Sequence, residues 1–98
     1  MAEVRLRAAA DADLAAILEY SVEQWGEEVG EAYLASFGEA FNLLARHPLA
    51  GALRAEIIPP IRCLPHRSHR IFYDVDGETV WIVRVLHHAM DVSRWLSE

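Results

Sequence analysis

The sequence predicts an α+β fold: an N-terminal strand, an antiparallel helical hairpin, a three-stranded antiparallel meander and a short C-terminal helical tail. Three observations point there. Two long amphipathic stretches are separated by a single glycine, Gly26. Three β-rich runs follow a proline-punctuated loop, and Asp76-Gly77 between the last two is a tight-hairpin signal. The 98 residues amount to one domain, residues 1–98, too short for two cores. With 53% hydrophobic and 24% charged residues, disorder is excluded.

Val4–Arg7 reads as the first strand, with Leu6 facing inward. Asp11 and Asp13 then occupy the first turn of a helix, where carboxylates suit the positive end. Leu14, Ile17, Leu18, Ser21 and Trp25 keep the rhythm of one buried helical face. Gly26 ends that helix, since glycine takes the left-handed conformation at low cost. The second helix runs from Glu27 to Arg46, with an apolar stripe of Val29, Tyr33, Phe37, Ala40, Phe41 and Leu44. His47-Pro48 stops it, because a residue before proline avoids helical geometry. Residues 48–60 read as a loop carrying Pro48, Gly51, Pro59 and Pro60. The meander strands are expected at Ile61–Pro65, His69–Val75 and Thr79–Leu86, and the tail at Asp91–Glu98 with Trp95 and Leu96.

The hairpin turn assigns the faces of the meander. With Val75 and Glu78 flanking it, Tyr73 opposes Val80, Phe72 opposes Trp81 and Ile71 opposes Ile82. One face then carries Ile71, Tyr73, Val75, Val80, Ile82 and Leu86; the other carries Arg70, Phe72, Trp81, Val83, Val85 and His87. Both are largely apolar, but one helical layer covers only one of them. The tail or a partner chain must cover the second, and a partner is the expected contributor.

The net charge of −6 is unevenly distributed. Residues 1–50 hold three arginines against nine acids; residues 51–98 hold six of each, plus four of the five histidines. There is no lysine. Arg62, His66, Arg67, His69, Arg70, Arg84, His87 and His88 form the one set with chemical potential. Arginines fork onto phosphates or carboxylates and histidines shuttle protons. The simpler reading is a solvated basic edge or a surface for an acidic partner. His87 and His88 are adjacent on a strand and point to opposite faces, and no CxxC or HExxH spacing supports a metal. Cys63, the one cysteine, reads as a small buried hydrophobe and cannot form an internal disulfide. The aromatic residues Trp25, Tyr33, Phe37 and Phe41 at helical spacing read as core. No apolar run approaches the roughly 18 residues of a membrane span, and the N-terminus lacks a signal peptide's apolar stretch. A cytoplasmic chain without a cofactor is expected.

The ordered set of residues resembles the ParE toxins of the RelE/ParE superfamily. Ala9-Ala10-Asp11-Ala12-Asp13-Leu14, then Ile17, Tyr20 and Trp25-Gly26, is similar to the family's opening, as is His47-Pro48 followed by Gly51. The most specific stretch is Ile61-Arg62-Cys63-Leu64-Pro65, His69-Arg70-Ile71-Phe72-Tyr73 and Val80 to His87. The resemblance implies the toxin of a type II toxin–antitoxin pair that contributes to plasmid or chromosome stability. It would inhibit DNA gyrase by direct binding, without catalysis. A ParD-like antitoxin would neutralise it, in a higher-order hetero-oligomer. Antitoxin tails combine apolar anchors with acids, so Arg62, Arg70, Phe72, Trp81, Val83, Arg84 and Val85 are the expected antitoxin-binding residues. The RelE branch instead cleaves mRNA on the ribosome. Arg70 matches the arginine opening that branch's middle strand, but its paired lysines fall on Ile61 and Cys63, its later arginine near Ala89 and its tail tyrosine near Trp95. Indole cannot replace a phenol in proton transfer. A RelE-type endonuclease and a degenerate antitoxin-binding relative are the alternatives.

Overall fold

The structure, a computed structural model, describes residues 1–96. β1 (Glu3–Leu6) leads into α1 (Ala8–Trp25) and α2 (Glu27–Arg46). β2 (Ala52–Arg54), β3 (Ile61–His66), β4 (His69–Asp76) and β5 (Thr79–His87) follow, and α3 (Val92–Leu96) is the last described element. The expected tail ran to Glu98, so its final two residues lie outside the described residues. The strands form one sheet in the order β1-β5-β4-β3-β2, with β1 parallel to β5 and all other pairs antiparallel. This is the α+β architecture expected, with one addition. β2 lies inside the segment read as loop, pairing Ala52 with Cys63 and Arg54 with Ile61.

The helices pack face to face because α2 carries a glycine where they cross. A Cβ on Gly30 would come within 2.6–2.8 Å of Val22, so only a bare backbone permits the approach. Gly30 takes the buried place that the stripe assigned to Val29, which is exposed. On α1 the buried face is Ala10, Ile17 and Ser21. In β1, Val4 packs inward. Leu6, expected inward, is exposed at the strand's end, where the chain already turns into α1.

Two separate apolar clusters sandwich the sheet. Phe37, Ala40, Leu44, Ala10 and Ile17 from the helices meet Ile71, Tyr73, Val80, Ile82 and Val85. On the far face Ile61, Cys63, Phe72 and Leu86 form a second cluster, closed by Ile57 of the loop, Val83, and Val92 and Leu96 of α3. The chain itself therefore covers much of the face for which a partner was expected. Phe72 has 0% exposure.

The register of the β4–β5 hairpin differs from expectation in two ways. The turn's central residues are Gly77-Glu78, with Asp76 facing Thr79 and the positive φ (61°) on Gly77. Tyr73 thus faces Ile82 rather than Val80. Parity survives that shift, since side chains repeat every two residues. Further along it does not. Tyr73 faces Ile82 while Phe72 faces Arg84, so Val83 is an extra residue in β5, a bulge. Beyond a one-residue slip every side chain changes face. Val85 accordingly joins the helical core and Leu86 the far cluster, the reverse of their expected sides.

Candidate functional site

The bulge also redirects Arg84. β1 ends opposite Ile82, leaving the next stretch of β5 without a neighbouring strand. Asp13, one turn deeper in α1 than a helix-dipole residue, fills that gap. Its carboxylate accepts hydrogen bonds from Arg84 Nε and Nη2, both at 2.8 Å, and from the Val85 backbone N–H at 2.9 Å. The side chains of Arg84 and Asp13 are only 19% and 14% exposed, which strengthens the fork. Its hydrogen bonds to the Asp13 carboxylate hold the Arg84 guanidinium above its ordinary range. Arg84, expected on a partner-binding rim, is instead an internal tie between helix and sheet. Its outer side still touches α3: Nη1 donates to the Trp95 carbonyl at 3.3 Å, and the guanidinium stacks 5.4 Å from the Trp95 ring.

Above this tie opens a cleft of about 630 Å³, between the tip of the helical hairpin and the ends of β4 and β5. Its walls include Tyr20, Trp25, Tyr33, His69, Met90 and Trp95. The sequence reading placed Trp25 in the core; it is 54% exposed. The last residue of α1 lies past the end of the sheet, where helical periodicity still sets a direction but no strand remains to pack against. Tyr20, Met90 and Trp95 are exposed beside it. The rings form a chain across the cleft floor. Tyr20 meets Trp25 edge-on at 6.3 Å, Trp25 meets Tyr33 at 6.1 Å, and Tyr33 meets His69 at 5.6 Å. The first two contacts are edge-to-face, an individually favourable arrangement at such separations.

Two histidines pack against Tyr33 and Phe37, and of these His69 lines the cleft. The Tyr33 hydroxyl lies 2.7 Å from His69 Nδ1. Burial, with the neighbouring histidines adding to it, pushes the His69 pKa down to about 4. The ring is thus neutral near pH 7 and can accept the Tyr33 O–H. Burial also lowers His66, whose Nε2 lies 2.7 Å from Ser36 Oγ. This Ser–His contact is not a nucleophile with its base. Ser36 is buried and its hydroxyl sits 2.5 Å from the Tyr33 carbonyl, so it ties α2 to β3. Among the described residues, no three His, Cys, Asp or Glu side chains are placed to hold a metal ion. Burial pushes the Cys63 thiol up, away from reactivity.

The other expected site residues disperse. Phe72 is buried in the far-face cluster, while Val85, on the opposite face, is nearly buried but lines the aromatic cleft together with Arg84. Arg62 Nη1 donates to the Gly51 carbonyl at 2.8 Å, helping Tyr73 hold residues 48–51. Trp81 and Val83 remain half-buried on the far face, where Arg7 stacks over the Trp81 ring at 4.2 Å. Arg70 lines a second cleft, of about 570 Å³, with Arg54, His88 and Val92. Ile61 and Cys63, where the RelE branch places lysines, belong to the far-face cluster. Among the described residues, no helix is long and apolar enough to cross a membrane.

Comparison with known proteins agrees with this geometry. Residues 4–92 match the model of the ParE toxin of the type II toxin–antitoxin system parDE. Toxin ParE1 of Mycobacterium tuberculosis H37Rv is 41% identical over 90 residues, spanning 91% of this chain and 92% of the relative. Toxin ParE1 of Caulobacter vibrioides is 35% identical over 91 residues, 93% and 94% of the two chains. A solved structure of a chromosomal ParDE toxin–antitoxin system from P. aeruginosa superposes with a TM-score of 0.77 at 25% identity, covering 89% of this chain and 96% of that one. The chain belongs to the ParE toxin family of type II toxin–antitoxin systems.

Proposed function

We propose that this ParE-family toxin inhibits DNA gyrase by direct binding and is silenced by a ParD-type antitoxin whose apolar segment lies in the cleft at the hairpin tip. The observation that supports the antitoxin's place is the shape of that cleft. Tyr20, Trp25, Met90 and Trp95 expose large apolar surfaces around one concave site, whereas Ile71, Tyr73 and Phe72 at the centre of the two sheet faces are covered by the chain itself. Contiguous exposed aromatic surface marks a protein-binding site, and an amphipathic helix laid in a groove would bury it. Tryptophan truncation at the centre of such an interface costs about 2 kcal/mol or more.

A binding toxin fits these residues better than a nuclease. Ile61 and Cys63 are buried, and Trp95 offers an indole N–H that only donates. The test is a supercoiling assay with purified gyrase, run with and without antitoxin. Supercoiling lost on adding the protein and restored by the antitoxin is the expected result. Intact supercoiling together with mRNA cleavage in a translating extract would establish the endonuclease reading instead.

A further inference from the structure

We propose that the aromatic cleft at the hairpin tip is a small-molecule site, and that its ligand is an uncharged planar aromatic compound bearing a carbonyl acceptor, of the aromatic amide class. The inference stands on the residues of the cleft and does not need the antitoxin reading. A molecule seated there and a protein segment would exclude one another.

Strand register supplies two hydrogen-bond donors to the cleft. His66, His69 and His87 are successive partners across β3, β4 and β5, so their side chains leave the sheet on one face. Each imidazole has one nitrogen engaged. His66 spends Nε2 on Ser36 Oγ and does not line the cleft; His69 and His87 do. The Ala89 backbone N–H donates to His87 Nδ1 at 3.1 Å, which leaves the ring proton on Nε2. His69 accepts the Tyr33 O–H at Nδ1, and its proton likewise sits on Nε2. Among the described residues neither Nε2 has a hydrogen-bond partner. Nor is any described side-chain nitrogen or oxygen both sealed from water and unpaired. Both N–H groups therefore reach solvent, and the open space beside these two rings, whose centroids are 5.4 Å apart, is the cleft.

The walls select the rest of the ligand. A volume of about 630 Å³ lies in the range of sites for small ligands. Tyr20, Trp25 and Trp95 offer exposed rings, against which a flat aromatic body buries apolar area in stacked or edge-on contact. A carbonyl oxygen has two lone pairs and can take both imidazole donors. Charge decides between a neutral and an ionised acceptor. The charged residues lining the cleft are Arg84 and Asp13, and they pair with each other. No lining cation is left over for a carboxylate, whose desolvation would go uncompensated.

The test uses the full-length protein and three probes built on one ring system: indole-3-carboxamide, indole and indole-3-carboxylate. Calorimetry measures affinity, and NMR of the imidazole N–H groups reports the place of binding. The carboxamide is expected to bind about tenfold more tightly than either other probe and to shift the Nε2–H signals of His69 and His87. His87→Phe should bring the carboxamide down toward the affinity of indole, while indole itself is unaffected. Trp25→Ser should weaken both. Equal affinities of carboxamide and indole for the native chain, or unshifted His69 and His87 signals, overturn the proposal without recourse to any variant. So does tighter binding of the carboxylate, which would make the cleft an anion site, or a preference for the carboxamide that survives His87→Phe in a folded protein. If Trp25→Ser leaves the probes indifferent yet weakens an antitoxin, the small-molecule site falls and the antitoxin reading stands.

Discussion

The two faces of the sheet are both closed at their centres, by unequal means. Ile71 and Phe72 are neighbours on β4, point to opposite faces and both have 0% exposure. Ile71 lies under two helices of 18 and 20 residues. Phe72 lies under a loop residue and a helix of only five. A two-layer α+β chain can thus close its open face with very little material. The helical side, conversely, does not close completely: the hairpin overshoots the sheet, and Trp25 and Tyr20 are left in the open. At the hairpin tip, large apolar side chains stay exposed because a long element runs past its support.

The largest effect is expected from Phe72→Ala. If the far face is a true core, the loss should be about 3–5 kcal/mol, as large as for Phe37→Ala under the helices. Equilibrium urea unfolding measures both. A cost for Phe72→Ala near that of a surface substitution would mean that α3 and Ile57 do not seal the face.

Next in size is Asp13→Ala. It strands the Arg84 guanidinium and the Val85 N–H together. Removing one partner of a well-buried pair costs about 3–5 kcal/mol, and partial solvent access here brings the expected loss to about 2–3 kcal/mol. Adding Arg84→Met to Asp13→Ala should recover part of it, as a double-mutant cycle would reveal.

A smaller effect separates the helical side from the far face by pH. His69 falls from an ordinary 6.5 to about 4 in the folded protein because it is buried beneath Tyr33. The unfolded chain therefore takes up the proton first. Stability is complete above about pH 6.5 and declines as pH falls toward 4. After screening by solvent, the loss is about 1–2 kcal/mol. Unfolding at neutral and mildly acidic pH should show it, and His69→Gln should flatten it. An unchanged slope in that variant would assign the acid sensitivity elsewhere.

Much of this fold was legible in the residues. Gly26 marked the helical break, proline and glycine bounded the loop, and the aspartate-glycine step located the hairpin. What escaped has common physical roots. β2 is three residues long and is held only by pairing with β3, so it carries no periodic signal of its own. Nothing in Trp81-Ile82-Val83-Arg84-Val85-Leu86 announces which residue is extra, because both faces are apolar. That one bulge moved Val85 and Leu86 across the sheet and turned Arg84 from a rim residue into the partner of Asp13, 71 positions away. Trp25 satisfied the helical period but not the sheet's length. Of the expected arginines, Arg62 is held by the Gly51 carbonyl and Arg84 by Asp13, while Arg70 lines the second cleft.

The central claim, that the partner surface is the hairpin-tip cleft and not the far sheet face, is tested most directly by titrating a ParD-type antitoxin that binds the native chain against Trp25→Ser and Trp81→Ser. Trp25→Ser is expected to weaken binding by about thirtyfold, equivalent to about 2 kcal/mol, while Trp81→Ser leaves it unchanged. The reverse order, with Trp81→Ser disrupting binding and Trp25→Ser indifferent, would contradict it.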